Sequence, residues 1–191
     1  MSKKLYLASS SPRRAELLSQ MGLSFQLVKG DVEETRRKNE SAEDFVVRMA
    51  LEKAQAGLRT LNNSAAWIIG GDTLLLIDNR VIGKPSSKQN FIETMHKLSG
   101  TWHEVLSAVA LVNQSLALAQ LNRTRVKFKQ LSEEDIAHYW ATGEPCDKAG
   151  GYAIQGLGAK YVESIEGSFS AVMGLPIFEL EQLLNQSSFY E

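Results

Sequence analysis

Short apolar runs alternate with amphipathic stretches along most of the chain. Apolar runs of this length are typical of buried strands, and apolar residues three and four apart are typical of helices packed on a sheet. The pattern predicts strands over residues 5–9, 25–29, 67–78 with a break, 104–112 and 117–129, and a β-rich stretch over 152–173. It predicts helices over residues 12–21, 42–60, 88–98, 133–142 and 176–185. This alternation favours an α/β fold with a mixed or largely parallel sheet.

Serines predict where three of these helices begin. Ser41-Ala-Glu-Asp and Ser132-Glu-Glu-Asp each place a carboxylate three residues after a capping serine, and Ser86-Ser-Lys-Gln fits the glutamine version of a capping box. Asp78-Asn79 lies between two apolar pairs and predicts a hairpin turn. We interpret these signals as structural and assign them no chemistry.

The bend between the first strand and the first helix is the most informative stretch. Three serines, a proline and two arginines follow the apolar run, which predicts Ser11 as the N-cap and Pro12 as the first helical residue. Arg13 and Arg14 then fall in the first turn, where the helix dipole disfavours cations. An anion on the helix N-terminus would remove this conflict, so phosphate binding is the preferred interpretation. The alternative is a solvated arginine pair on an ordinary helix start.

Composition limits the function without identifying it. The 191 residues suit one domain, or two small lobes, and a formal net charge of −1 gives no global attraction to nucleic acid or an anionic membrane. The single cysteine, Cys146, excludes an internal disulfide and a multi-cysteine zinc site. The apolar run near the start is too short for a signal peptide or a membrane span. We therefore expect a cytoplasmic protein.

An aspartate and a lysine stand at positions where chemistry is expected. Asp72 follows Ile68-Ile69-Gly70-Gly71, a predicted bend at the end of an apolar strand, and suits a metal ligand or a base for water, although a turn residue is the alternative. Lys84 lies between a glycine and a proline, and the proline holds its backbone extended. Covalent catalysis is disfavoured because no strained nucleophile turn occurs, and the three histidines lack metal-ligand spacing.

Two further groups carry weaker signals alone. Lys53 lies on the long helix and Glu34 in a charged loop, where solvated side chains are the default. Taken together, however, Arg13, Arg14, Lys53 and Lys84 could neutralise a polyphosphate while Glu34 and Asp72 hold Mg²⁺ or Mn²⁺. Hydrolysis of a phosphoanhydride needs little more than charge neutralisation, positioning and an activated water.

Residues 143–158 carry five of the fourteen glycines. Such a density indicates either a flexible tip or a backbone that approaches another group closely. The polar residues Asp147, Lys148 and Gln155 among these glycines favour the second interpretation.

Cations alternate with other residues from Arg123 to Lys129, so that all four lie on one face of a strand. A solvated sheet face is the preferred interpretation, and a ligand surface, including one for RNA, is the alternative. The near-neutral net charge argues against nucleic acid as a partner.

Four motifs together resemble those of the Maf nucleotide pyrophosphatases. They are Ser-x-Ser-Pro-Arg-Arg after a strand, Gly-x-Asp-Thr, Gly-Lys-Pro and the long Gly-Glu-Pro-x-Asp-Lys-Ala-Gly-x-Tyr-x-Ile-Gln-Gly of residues 143–156. The match runs from residue 5 to about 184, so we expect residues 1–191 to form a single Maf-like domain. The resemblance implies an α/β fold of the inosine-triphosphatase type, a mixed twisted sheet with flanking helices and two lobes around a deep cleft.

The resemblance also implies an activity and its site. Family members use a divalent metal, are often homodimers, release a nucleoside monophosphate and pyrophosphate, and are associated with restraint of cell division. Asp72 matches the proposed catalytic base, and Glu34 is expected to share the metal with it. Lys53 and Lys84 match positions implicated in catalysis, metal or phosphate binding. The expected substrate-binding residues are Ser9, Ser11, Arg13, Arg14, Thr73, Asp147, Lys148 and Gln155, of which Arg13, Thr73 and Gln155 match positions linked to substrate choice.

The long motif resembles that of the subgroup acting on dTTP and UTP, which differs from the 7-methyl-GTP subgroup in this segment. A glutamine amide at Gln155 is complementary to O4 and N3–H of uracil or thymine, but a flipped amide would also satisfy cytosine. Gln155 therefore excludes CTP only if its neighbours fix its orientation. Gly71 and Ser107 stand where the family commonly has alanine and threonine, and the first departure could alter the rate. The alternatives are a pyrophosphatase for 7-methyl-GTP or other modified nucleotides and a non-catalytic, nucleotide-binding regulator of cell division.

Overall fold

A computed structural model describes residues 3–61 and 65–191. These residues form seven strands and six α-helices. The strands are β1 (Lys4–Leu7), β2 (Phe25–Leu27), β3 (Ala66–Ile77), β4 (Arg80–Ile82), β5 (Trp102–Val112), β6 (Ala117–Phe128) and β7 (Val162–Glu166). The helices are α1 (Pro12–Gln20), α2 (Ala42–Arg59), α3 (Lys88–Leu98), α4 (Glu133–Ala141), α5 (Phe169–Met173) and α6 (Ile177–Gln186). The predicted α/β class is confirmed.

The strands form a mixed sheet in the order β2-β1-β3-β5-β6-β7, with β4 paired to β3. β1 runs parallel to both β2 and β3, whereas β3 and β4, and β6 and β7, are antiparallel pairs. Helices α1 and α2 make the crossovers between the three parallel strands, as parallel pairing requires. The carboxyl ends of β1 and β2 therefore lie at one edge of the sheet, where α/β proteins place their sites.

Contact clustering divides the chain into two compact units. Unit 1 comprises Met1–Thr73, Ser107–Asn122 and Gly174–Glu191, and unit 2 comprises Leu74–Leu106 and Arg123–Met173. Each unit has its own buried apolar residues. Examples in unit 1 are Leu7, Leu17, Leu18, Met49, Ile68 and Ile69, and examples in unit 2 are Leu75, Phe91, Met95, Phe128, Tyr139 and Tyr161.

The capping and turn signals in the sequence correctly predicted the starts of two helices and one hairpin turn. The side chains of Ser41 and Ser132 accept hydrogen bonds from the backbone of Asp44 and Asp135, and the second serine completes a reciprocal capping box. The predicted hairpin turn joins β3 to β4, and Asp78 has the positive φ, 50°, that such a turn requires. The cap of α3 is shifted by one residue, because Ser87 rather than Ser86 accepts from the Asn90 backbone.

Two expectations about strands were wrong. β3 continues without a break from Ala66 to Ile77, so Asp72 lies inside a strand and not at a bend after it. The glycines before Asp72 serve a close approach of α2, as described below, and do not turn the chain. The stretch over residues 152–173 is only partly β, because it holds a 3₁₀ turn at Leu157–Tyr161, the short β7 and α5.

No helix within residues 3–61 and 65–191 combines the length and the apolar character that crossing a membrane would require.

Candidate active site

A lysine and two carboxylates form a charge cluster in unit 1. Lys53, on α2, places its Nζ 2.7 Å from Glu34 Oε1 and 2.8 Å from Asp72 Oδ1. The side chains of Lys53 and Asp72 are only 12% and 11% exposed, whereas that of Glu34 is 61% exposed. We call these three residues the acid–lysine cluster. Glu34 and Lys53 were weak candidates for the active site by sequence alone. The structure places Lys53 in contact with both Glu34 and Asp72, the strongest candidate.

The close packing of α2 on β3 brings this cluster together. A Cβ on Gly70 would overlap the carbonyl oxygen of Ala50 and would lie 2.8 Å from the backbone nitrogen of Ala54. Only glycine lets the strand approach the helix backbone this closely. Gly30, in the loop after β2, also approaches the helix backbone closely, because a Cβ there would lie 2.8 Å from the carbonyl oxygen of Lys53. The two glycines hold the acid-bearing segments against the turn of α2 that carries the lysine.

Arg14 connects the serine–arginine bend to the strand that carries Asp72. Its Nε donates to the Gly174 carbonyl oxygen at 2.8 Å, and its Nη1 donates to Ser9 Oγ at 3.2 Å. Its Nη2 lies 3.5 Å from Thr73 Oγ1, which is itself 3.0 Å from Ser107 Oγ. These contacts join all three chain segments of unit 1. Burial lowers the pKa of the Arg14 guanidinium, and the negative charge of Asp72 opposes that effect.

The start of α1 has the predicted residues in the predicted places. Ser11 is the N-cap and Pro12 opens the helix. The Ser11 side chain makes no capping bond, and its backbone N–H donates to Ser9 Oγ at 3.1 Å. The N–H groups of a first helical turn have no partner within their helix, so this end can receive an anion. Arg13, in that turn, is partly exposed.

A cavity of about 320 Å³ opens beside this bend. It lies at the carboxyl ends of β1 and β2, and its lining consists of Ser9, Ser10, Leu27, Val28, Lys29, Gly30 and Asp31. Ser9 is therefore shared between the cavity and the Arg14 contacts.

Unit 2 brings two of the sequence motifs together. The backbone N–H of Gly150 donates to the Gly83 carbonyl oxygen at 3.0 Å, which joins the Gly-Lys-Pro segment to the glycine-rich segment. Lys84, next to this bond, is exposed. Lys148 donates to the Glu144 carbonyl oxygen at 3.0 Å and pairs with the exposed Asp147.

A second group of unit 2 residues bonds to the backbone before and after Gln155, a residue that is itself exposed. Glu144 accepts hydrogen bonds from the Tyr139 hydroxyl and from two backbone N–H groups that follow Gln155. The sequence motif contains Glu144 but gives no sign of this role, because its partners are backbone groups more than ten residues away. Tyr139 lies outside the motif, and the sequence placed it only within the predicted helix over residues 133–142.

The cationic strand face is a ladder of ion pairs within unit 2. Arg123 pairs with Glu104, and the other three cations have acidic partners at 2.6–3.0 Å. These partners are Glu166 for Arg125, Glu163 for Lys127 and Asp135 for Lys129. The preferred interpretation of this stripe as a sheet face is supported, since each positive charge already has a neighbouring carboxylate.

The donor set of the acid–lysine cluster suits a hard cation shared with a phosphate. No group of three or more His, Cys, Asp or Glu side chains with the arrangement of a metal site occurs in the described part of the chain. Glu34 and Asp72 supply two carboxylates that meet at one Nζ. Mg²⁺ is commonly held by one or two carboxylates, with water and substrate phosphate oxygens completing its shell. The residues present therefore fit such an ion, but not a site built from protein ligands alone.

Comparisons with known proteins agree along nearly the whole chain. The family model described as "Maf-like protein" matches residues 4–187. A protein named dTTP/UTP pyrophosphatase from Hydrogenovibrio crunogenus is 48% identical over 190 residues, covering 100% of this chain and 99% of the relative. Proteins of the same name from Vibrio parahaemolyticus and Escherichia coli are each 47% identical, covering 97% and 95% of this chain and 97% and 91% of the relatives.

Proposed function

We propose that this chain, which belongs to the Maf family, is a nucleoside triphosphate pyrophosphatase that hydrolyses dTTP and UTP to the monophosphate and pyrophosphate. The observation that carries the proposal is the acid–lysine cluster, in which Lys53 joins Glu34 and Asp72 within 2.8 Å. The names of relatives 45–48% identical over almost the full chain support the choice of dTTP and UTP.

Asp72 is the residue we propose as the base that takes a proton from the attacking water. The water attacks the α-phosphorus, the α–β anhydride bond breaks, and pyrophosphate leaves with the electron pair of that bond. Lys53 orients the Asp72 carboxylate through the 2.8 Å bond to Oδ1. The low exposure of both side chains limits competing water and strengthens this interaction.

The triphosphate requires positive charge and backbone donors along its length. The N-terminus of α1 offers N–H groups and the positive end of the helix dipole, and Arg13 adds a cation in the same turn. Arg14 orients Ser9 and Thr73 through the contacts described above, and we propose direct substrate contacts for Ser9, Ser11, Arg13 and Thr73. Lys84, Asp147 and Lys148 stay predicted substrate or catalytic residues on the strength of the motif match.

We propose that the enzyme uses Mg²⁺ or Mn²⁺, held by Glu34 and Asp72. When bound, such an ion withdraws negative charge from the phosphate oxygens and lowers the barrier to attack by water. The exposed Glu34 can adjust to an ion that arrives with the nucleotide, while Asp72 is held in place by β3 and Lys53. The homodimer and the cytoplasmic location stay predictions.

A nucleotide panel tests this function directly. Pyrophosphate release is measured for dTTP, UTP, CTP, GTP and 7-methyl-GTP with Mg²⁺, with Mn²⁺ and with a chelator. We expect metal-dependent release that is fastest with dTTP and UTP. Preference for 7-methyl-GTP would assign the chain to the other subgroup, and tight UTP binding without pyrophosphate release would indicate a regulator in place of an enzyme.

A further inference from the structure

The chain segment around Gln155 is anchored on both sides by one pair of side chains. Before Gln155, the backbone N–H of Ala153 donates to the Tyr139 hydroxyl oxygen at 3.1 Å. After it, the N–H groups of Leu157 and Gly158 donate to Glu144 Oε2 at 2.9 Å and Oε1 at 3.0 Å. The Tyr139 hydroxyl closes the network by donating to Glu144 Oε1 at 2.7 Å. We call these two side chains the Glu–Tyr anchor.

The ionisation states of the anchor suit this role. Burial raises the pKa of Tyr139 well above its ordinary value, so the phenol is a neutral donor at physiological pH. Burial also acts to raise the pKa of Glu144, but hydrogen bonds from Tyr139, Leu157 and Gly158 outweigh it and the pKa is lowered. Glu144 is therefore a carboxylate, which can accept from both sides at once.

The glycines that follow Gln155 fit the same anchor. A Cβ on Gly156 would overlap the Glu144 carboxylate, and a Cβ on Gly158 would lie 2.6 Å from the Tyr139 hydroxyl oxygen. The two glycines of Gln-Gly-Leu-Gly thus let the backbone reach the anchor. This packing is an observation separate from the hydrogen bonds, and it indicates the same close fit between loop and anchor.

We propose that Glu144 and Tyr139 are positioning residues that fix the backbone on both sides of Gln155 and so set which way its amide faces the base. The inference rests on the proposed function and on the expectation, implied by the family motif, that Gln155 contacts the base of the nucleotide. An amide held in one orientation pairs with O4 and N3–H of uracil or thymine, whereas a reoriented amide pairs equally well with cytosine. A fixed backbone limits the rotamers open to the Gln155 side chain, and the anchor thereby disfavours the reoriented amide that would pair with CTP.

The test compares kcat/KM for UTP and CTP in the parent and in Glu144→Gln. The substitution keeps the side-chain size but turns one oxygen into an NH₂ group, which then faces a donor it cannot bond. We expect the UTP:CTP ratio to fall by about tenfold or more, as the loss of one buried polar match allows. Glu134→Gln, on the exposed face of α4, is the matched control and should keep the parent ratio.

A double-mutant cycle separates positioning from a general structural role. In a Gln155→Ala background, Glu144→Gln should leave the UTP:CTP ratio unchanged, because the amide that it orients is gone. Tyr139→Phe, which removes a single hydroxyl, should lower the ratio in the same direction and serves if Glu144→Gln fails to fold. The parent is assayed first, so absence of UTP hydrolysis would refute the proposed function and not the anchor.

Two results would overturn the inference about the anchor. One is a folded Glu144→Gln or Tyr139→Phe protein with the parent UTP:CTP ratio. The other is an equal loss of activity toward all nucleotides that persists in the Gln155→Ala background, since that outcome describes a residue needed only for folding.

Discussion

Substitution of Gly70 by alanine tests whether the contact between α2 and β3 assembles the acid–lysine cluster. One methyl group at this position would overlap the Ala50 carbonyl oxygen and would lie 2.8 Å from Ala54 N and 2.9 Å from Ala54 Cβ. Two of these three atoms belong to the helix backbone and cannot rotate away. The helix must therefore move as a unit away from the strand, and it carries Lys53 with it.

The size of the effect follows from these contacts. Overpacking of a core by one methyl group commonly costs about 1–3 kcal/mol, and contact with backbone atoms places Gly70→Ala at the upper end. The displacement needed to relieve the overlap is on the order of 1 Å, which is enough to lower catalysis about a hundredfold when it separates catalytic groups. We expect both losses together, because the same contact supports the fold and the pairing of Lys53 with Asp72.

The neighbouring glycine offers a matched control. Successive strand residues point to opposite faces, and a Cβ on Gly71 would lie 3.2 Å from Arg14 Nε and 3.5 Å from the Ala108 carbonyl oxygen. We expect Gly71→Ala to change stability by less than about 1 kcal/mol, since only a side-chain contact needs to adjust. The assays are urea unfolding and kcat/KM for dTTP. A Gly70→Ala protein with parental stability and activity would refute the proposed packing.

Three further outcomes are expected. Burial lowers the pKa of His103 from 6.5 to about 3, so the unfolded chain binds the proton more readily and stability falls below pH 6.5. The loss from this group reaches about 2 kcal/mol at pH 5. Urea unfolding at pH 7 and pH 5 should show a smaller loss for His103→Gln than for the parent or the exposed His138→Gln, and equal losses would contradict this. Arg14→Lys keeps the charge but loses the fork that reaches both Gly174 and Ser9, so it should lower the free energy of unfolding by about 1–3 kcal/mol. An unchanged unfolding midpoint would contradict that role. Lys127→Gln breaks a partly exposed ion pair, so it should change stability by less than about 1 kcal/mol and leave kcat/KM near the parental value. A large loss of either would show that the stripe does more than form a sheet face.

Elements governed by local signals could be predicted from the sequence. The cap at Ser41, the capping box at Ser132 and the hairpin turn at Asp78-Asn79 each depend on a few adjacent residues, and each is confirmed. The N-cap at Ser11 was also predicted, although its side chain makes no capping bond.

Features that depend on distant parts of the chain could not be predicted. The sequence favoured a bend at Gly70, because glycine is commoner in turns than in strands. The residues next to Gly70 in the chain do not reveal that the backbone of α2 packs against it. Lys53 and Glu34 gained significance only when folding placed them beside Asp72. Glu144 binds backbone groups thirteen and fourteen residues away, a relation that no local spacing reveals.

The most direct test of the central claim is the rate of dTTP hydrolysis by Asp72→Asn with saturating Mg²⁺. Asparagine keeps the shape of the side chain but cannot act as the base, and removal of a general base commonly lowers the rate by about 10²–10⁴-fold. We expect a loss of this size in a protein that still folds but has a lowered unfolding midpoint, because Lys53 loses its buried partner. We expect parental activity for Asp78→Asn, an exposed aspartate just after the same strand. An Asp72→Asn protein that keeps most of its activity would contradict the assignment of the acid–lysine cluster as the catalytic centre.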